Sequence, residues 1–219
     1  MTGRFITLEG GEGSGKSTQA RRLGAALEAV GRHTVVTREP GGSPAAERLR
    51  EVVLSGRAKQ FGTFAEAVIF ASARDDHLRT TIRPALARGD WVVSDRFADS
   101  TRVYQGALGN IDPRLIMALE RLVVGPTKPD LTLVLDLPAT TGLQRAAERG
   151  GTPEPDRFEA EDLAFHERLR ESFLEIAERE PERCVLIDAT PPPDRVAAAI
   201  WEAVAERFGL ASSEHWGAV

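Results

Sequence analysis

The sequence predicts an α/β fold, a five-stranded parallel sheet with helices on both faces. Five short apolar runs alternate with amphipathic segments at helical spacing, as a sheet covered on both sides requires. A Gly-rich segment joins the first apolar run directly to the first helical segment. The 219 residues, 42% of them hydrophobic, suffice for one sizeable core.

Residues 4–9 read as a buried strand running into Gly10–Gly15. A helix follows from Lys16, with Ala20, Leu23, Leu27 and Val30 on one face and Gly31 as its stop. His33–Thr37 is the second strand. Ser43 is the expected cap of a helix over 44–54 that starts on Pro44, where the missing N–H costs nothing extra. A long helical pattern spans about 64–87, Gly89-Asp90 ends it, and Trp91–Ser94 is the third strand. Helical segments at about 98–107 and 113–124 precede a fourth strand, Leu131–Leu135. Ala139–Arg149 is helical, Gly150–Pro155 is a breaker-rich loop, and Leu163–Glu178 is the next helix. Cys184–Asp188 is the fifth strand, and Asp194 is the expected cap of a last helix through about Phe208. The tail, 211–219, has no periodicity and is expected to be disordered.

A net charge of −5 opposes binding to nucleic acid or an anionic membrane, so an anionic ligand needs a local basic site. Nearly all basic residues are Arg; Lys occurs only at positions 16, 59 and 128, so a retained Lys is the more informative. The single cysteine, Cys184, forms no intrachain disulfide and sits in an apolar run as a structural thiol. No apolar stretch approaches a membrane span, and the expected location is the cytoplasm.

Gly10-Gly11-Glu12-Gly13-Ser14-Gly15-Lys16-Ser17, followed by Thr18, matches G-x-x-x-x-G-K-[S/T] between a predicted strand and a predicted helix. Glycines let the backbone aim its N–H groups at phosphate oxygens, and the helix N-terminus adds partial positive charge. Lys16 would neutralise the β- and γ-phosphates of ATP, and Ser17 would place its hydroxyl on Mg²⁺. At the end of the third strand, Asp95 could hold that ion through water and Arg96 could clamp an acceptor phosphate, since ligands of such sheets gather at this edge. The bland alternative there is a strand-end ion pair. Thr127-Lys128-Pro129-Asp130 fits the guanine-reading pattern of switch GTPases, but it precedes a strand and no Asp has Gly three residues later. A kinase for another nucleoside monophosphate, such as AMP or a uridine nucleotide, is the alternative within the enzyme class, and a regulatory nucleotide-binding module without transfer activity is the rival from another class.

The blocks Leu8–Thr18, Thr37-Arg-Glu-Pro-Gly-Gly42, Phe70-Ala-Ser-Ala-Arg74, Ser94-Asp-Arg-Phe97, Ser100-Thr101, Tyr104-Gln-Gly106 and Pro129–Asp136 together resemble those of bacterial thymidylate kinases over most of the chain. The resemblance implies the P-loop nucleoside monophosphate kinase fold, one domain over 1–210 with a small lid at about 145–158, working as a homodimer. It implies transfer of phosphate from ATP to dTMP with Mg²⁺. Phe70 would stack on thymine and Arg74 would donate to its O4 carbonyl; burial tendencies alone would make Phe70 core and Arg74 a solvated face. Thr101 and Gln105 would read the N3 edge, and Tyr104, the only tyrosine, would close on the sugar. Arg38, Arg96 and Ser100 belong to the acceptor side, and Glu9 to the sugar hydroxyl and the metal.

Some thymidylate kinases carry an Arg inside the P-loop and others in the lid. Gly13 occupies the P-loop position, so the chain is similar to the lid-arginine group. Arg145, Arg149 and Arg157 flank the loop, with Arg145 expected on ATP and the other two at the transferred phosphoryl group. Ala147 departs from that group, which often has a basic residue there, and Gly151–Pro155 lengthen the loop.

Overall fold

The computed structural model describes residues 3–148, 158 and 160–211. Its five strands, β1 (Phe5–Gly10), β2 (Thr34–Arg38), β3 (Trp91–Asp95), β4 (Leu131–Asp136) and β5 (Cys184–Asp188), form one parallel sheet in the order β2-β3-β1-β4-β5. Each lies within a residue or two of the expected run. β1 is central with every residue buried, Ile6 and Leu8 on one face and Phe5, Thr7 and Glu9 on the other. The chain order reverses across it, which opens a crevice at the carboxyl edge.

Period-two alternation divides the strand side chains between two layers. Ile6, Leu8, Leu131, Leu133 and Leu135 face α1 (Lys16–Ala29) and α9 (Pro193–Phe208), which contribute Leu23, Leu27, Ile200, Trp201 and Val204. On the other face, Phe5 and Val92 meet Leu78, Ile82 and Ala85, while Val134 meets Leu169 and Phe173 of α8 (Leu163–Arg179). Cys184 is buried in this second layer as a free thiol, and burial pushes its pKa up to about 11. It is therefore inert as a nucleophile.

The long helix expected over 64–87 starts at Gly62 and is interrupted. It consists of α3 (Gly62–His77), a π-helical turn over Leu78–Ile82, and α4 (Arg83–Arg88). Pro84 lacks an N–H and its ring collides with a carbonyl one turn back, so the regular ladder cannot pass unaltered. The segment expected over 98–107 is likewise α5 (Ala98–Thr101) followed by a π-helical turn, Arg102–Ala107. α2 (Pro44–Leu54), α6 (Pro113–Val123), α7 (Ala139–Glu148) and a 3₁₀ turn at Lys59–Phe61 complete the helices of the described residues.

Both expected caps need correction. Ser43 occupies the cap position of α2, but its hydroxyl donates to Asp76 at 2.6 Å instead of accepting from the helix. Asp194 lies inside the first turn of α9, because Pro193 already supplies the first helical residue. There its carboxylate accepts from Arg22 at 2.6 Å and favours the positive helix end. Asp130 of the Thr127–Asp130 motif accepts from the Phe5 N–H at 2.8 Å and from Arg4 at 3.0 Å. That places the motif at the amino edge of the sheet, away from the crevice, and a guanine-reading role is abandoned.

Candidate active site

The crevice at the carboxyl edge is a cavity of about 650 Å³. Gly13–Thr18 form its floor. Gly13 has φ 68°, and a Cβ on it would lie 2.0 Å from the Gly142 carbonyl oxygen. A Cβ on Gly142 would in turn lie 2.4 Å from the Glu12 carbonyl oxygen, so two facing glycines let α7 close against the loop. Only the first had a sequence signal. Gly142 lies in an ordinary helical stretch, and the contact between the two is long-range.

Lys16 is buried, and its Nζ donates to the Gly11 carbonyl at 2.7 Å and to Ser14 Oγ at 3.3 Å. Burial, helped by the positive charge of Arg96, brings its pKa down to about 8. Phosphate oxygens arriving in the cradle would restore the charged form. Ser17 Oγ donates to Asp95 Oδ2 in a very short contact, since the pairing of Leu8 with Asp95 in adjacent strands brings the end of β3 beside the loop.

Arg96 follows Asp95 with φ 70°, a left-handed backbone that turns its side chain back over the loop. Its guanidinium donates to Glu12 Oε1 at 2.5 Å, Ser100 Oγ at 3.2 Å and the Gly10 carbonyl at 3.3 Å, and it stacks 5.3 Å from the Tyr104 ring centre. The Tyr104 hydroxyl donates to the same Glu12 oxygen at 2.9 Å. Burial works against the Glu12 carboxylate, yet Arg96 and Lys16 beside it hold its pKa at about 2. Glu12, expected only as part of the ATP cradle, thus anchors the arginine and the tyrosine together.

Glu9 is placed differently from its expected sugar and metal contacts. It is fully buried and outside the cavity lining, accepting from Phe97 N at 2.8 Å, Ser100 N at 3.3 Å and Ser100 Oγ at 2.7 Å. Burial, with Asp99 nearby, raises its pKa from 4.5 to about 7. The folded state therefore binds more protons than the unfolded state between those values, and loses stability as pH rises through that window. Thermal unfolding should show this slope, and Glu9→Gln should flatten it. Equal slopes in both proteins would refute the assignment.

The far wall holds Arg38, Phe70, Arg74, Ser100, Thr101, Tyr104 and Gln105 together. Phe70 is half-buried and Arg74 is only 5% exposed, so the bland reading of both positions fails. Arg74 Nε donates to Glu39 at 2.7 Å, and its Nη2 donates to Thr101 Oγ1 and the Phe97 carbonyl, each at 3.1 Å. Arg38 is exposed and pairs with Glu47 at 3.1 Å. At the opposite end, Arg145 donates to the carbonyls of Ala189 and Thr190, each at 2.9 Å, beside Pro191, Pro193 and Val196. That apolar seat at the start of α9 had no sequence signal beyond a stiff turn. Arg149, Arg157 and most of the lid lie outside the described residues.

A family model described as thymidylate kinase matches residues 8–200. The chain belongs to the thymidylate kinase family. It is 58% identical over 206 residues to the thymidylate kinase of Bradyrhizobium sp. strain BTAi1, an alignment covering 94% of this chain and 91% of that one. It is 55% identical over 213 residues to the enzyme of Nitrobacter hamburgensis, covering 97% and 93%. The crystal structure of thymidylate kinase from Ehrlichia chaffeensis superposes with a TM-score of 0.75 at 31% identity, covering 93% of this chain and 99% of that one. As a thymidylate kinase family member the chain is a nucleotide-binding phosphotransferase, of a kind that generally works with a divalent metal. No helix among the described residues is long and apolar enough to cross a membrane.

Proposed function

We propose that the protein transfers the γ-phosphoryl group of ATP to dTMP, giving ADP and dTDP. The observation that carries this is the single cavity in which the P-loop lies between the Arg145 seat and the wall of Phe70, Arg74, Thr101 and Gln105. An oxygen of the acceptor phosphate attacks the γ-phosphorus, and the bond to the β–γ bridging oxygen breaks in line, leaving ADP. No side chain need act as nucleophile. Lys16 holds the β- and γ-oxygens, Arg96 holds the acceptor phosphate beside them, and Arg149 or Arg157 adds charge as a lid over 145–158 excludes water.

Ser17 and Asp95 fit Mg²⁺. Their hard oxygens are adjacent, and no cluster of three or more His, Cys, Asp or Glu side chains suited to a metal occurs among the described residues. The ion would complete its shell with phosphate oxygens and water, as Mg²⁺ prefers. When bound it supplies charge neutralisation across the β- and γ-phosphates.

Tyr104 is held over Arg96 by Glu12, where its ring limits space at the sugar. Phe64 and Val68 lie one turn apart on α3 and Leu115 and Leu122 two turns apart on α6, all exposed on two helices in mutual contact, and these apolar side chains support a homodimer. A chain with one cysteine relies on no intrachain disulfide for its fold, which is compatible with the cytoplasm as its setting. The proposal also takes residues 1–210 as one kinase domain.

ATP and magnesium offered with a panel of monophosphates, with ADP release as the readout, should show the highest kcat/KM for dTMP. dUMP, lacking one methyl group, should be about five- to tenfold poorer. Turnover of AMP without turnover of dTMP would overturn the reading.

A further inference from the structure

Behind the acceptor wall, Glu39 and His77 form a buried pair that phosphoryl transfer does not use. Their side chains are 4% and 0% exposed. Thr37 Oγ1 lies 2.7 Å from His77 Nε2, His77 Nδ1 lies 3.1 Å from Glu39 Oε1, and Glu39 Oε2 accepts from Arg74 Nε at 2.7 Å. A carboxylate only accepts, so Nδ1 carries a proton, and in the neutral imidazole Nε2 then accepts from the threonine hydroxyl. The four side chains thus form one hydrogen-bonded chain whose donors converge on the Glu39 carboxylate, from His77 on one side and Arg74 on the other. Gly42 leaves room for it, since at φ 79° a Cβ there would lie 2.3 Å from His77 Nε2 and 2.5 Å from Thr37 Oγ1.

The end of that chain decides where a donor points. Arg74 commits Nε to Glu39 and Nη2 to Thr101 and Phe97, whereas Nη1 donates to none of the described residues and Arg74 lines the cavity. Nε and Nη2 lie on one edge of the guanidinium. A carboxylate free to rotate prefers to chelate that edge with both oxygens, drawing Nη2 off its wall partners and turning Nη1. His77 prevents this by holding Oε1.

We propose that His77 is a positioning residue for acceptor-base recognition: through Glu39 it fixes Arg74 so that Nη1 meets the exocyclic 4-carbonyl of the pyrimidine. This rests on the reading of Arg74 as the base reader under the proposed function.

The test compares kcat/KM for dTMP with that for the analogue in which hydrogen replaces the 4-carbonyl oxygen and N3 in consequence loses its own hydrogen. Wild type should prefer dTMP by about 100-fold or more, because the Arg74 donor is left unpaired and the N3 edge is altered as well, so the change in that ratio on substituting His77 is what reads the Arg74 contact. His77→Ala should cut that preference about tenfold, mainly through KM for dTMP, with KM for ATP unchanged. His77→Asn, whose amide nitrogen falls near the Nδ1 position, should keep most of the preference, whereas His77→Gln should not. A purely structural role would lower both acceptors alike and leave their ratio intact, and that result overturns the proposal. So does a His77→Ala ratio equal to that of wild type. Failure of wild type to phosphorylate dTMP at all would instead sink the proposed function, and this inference with it.

Discussion

Lys16→Ala is expected to lower kcat/KM by about 10³-fold or more while the protein stays folded. The loss is that of a charge placed against oxygens where negative charge shifts during transfer, inside a cavity where electrostatic contacts are stronger than in water. The fold should survive because the ammonium is buried and its protein partners are a carbonyl and a hydroxyl. Its pKa, lowered from 10.5 to about 8, means that burial disfavours the charge. Between those values the unfolded state binds more protons, so this group makes stability rise with pH, and the alanine variant should lack that rise. Steady-state kinetics and thermal unfolding on either side of that window check both halves. Near-normal turnover would remove the P-loop role.

Arg96→Ala is expected to cost both activity and stability. Activity should fall on the order of 10³-fold if, as proposed, the residue clamps the acceptor phosphate beside the transferred group. Stability should fall by about 1–2 kcal/mol, since Glu12, a mostly buried carboxylate, would keep Tyr104 and Lys16 beside it but lose its guanidinium. Adding Glu12→Gln removes the uncompensated charge, so the double variant should regain most of the stability and none of the activity. Arg96→Lys should rescue neither, because a point ammonium cannot reach Glu12, Ser100 and the Gly10 carbonyl at once. Full stability in the single alanine variant would show that Arg96 does not hold Glu12.

How much of the site was legible depended on the separation of its parts along the chain. The phosphate cradle is local, strand to loop to helix, and was readable as a motif in its setting. The acceptor wall needed the family resemblance, because its contacts are remote: Glu39 and Arg74 are 35 residues apart, and Glu12 and Arg96 are 84 apart. No periodicity encodes such pairs. Glu39 stood inside a recognised block without an assigned role. His77 ended a helix with no motif to mark it, and Gly142 looked like any helical glycine.

The sequence by itself determined the five strands, most of the helices, the cradle and the family, since these follow from apolar period and short-range backbone chemistry. Only the tertiary structure decided which charges became partners. Placing β1 between β3 and β4 brings the end of β3 beside the P-loop, and Arg96, with its left-handed backbone, turns back over the loop to meet Glu12. The neighbouring helix start then claims Glu9 through the Phe97 and Ser100 N–H groups. Burial makes each such choice binding, because a desolvated charge must take the nearest complementary group that the fold supplies.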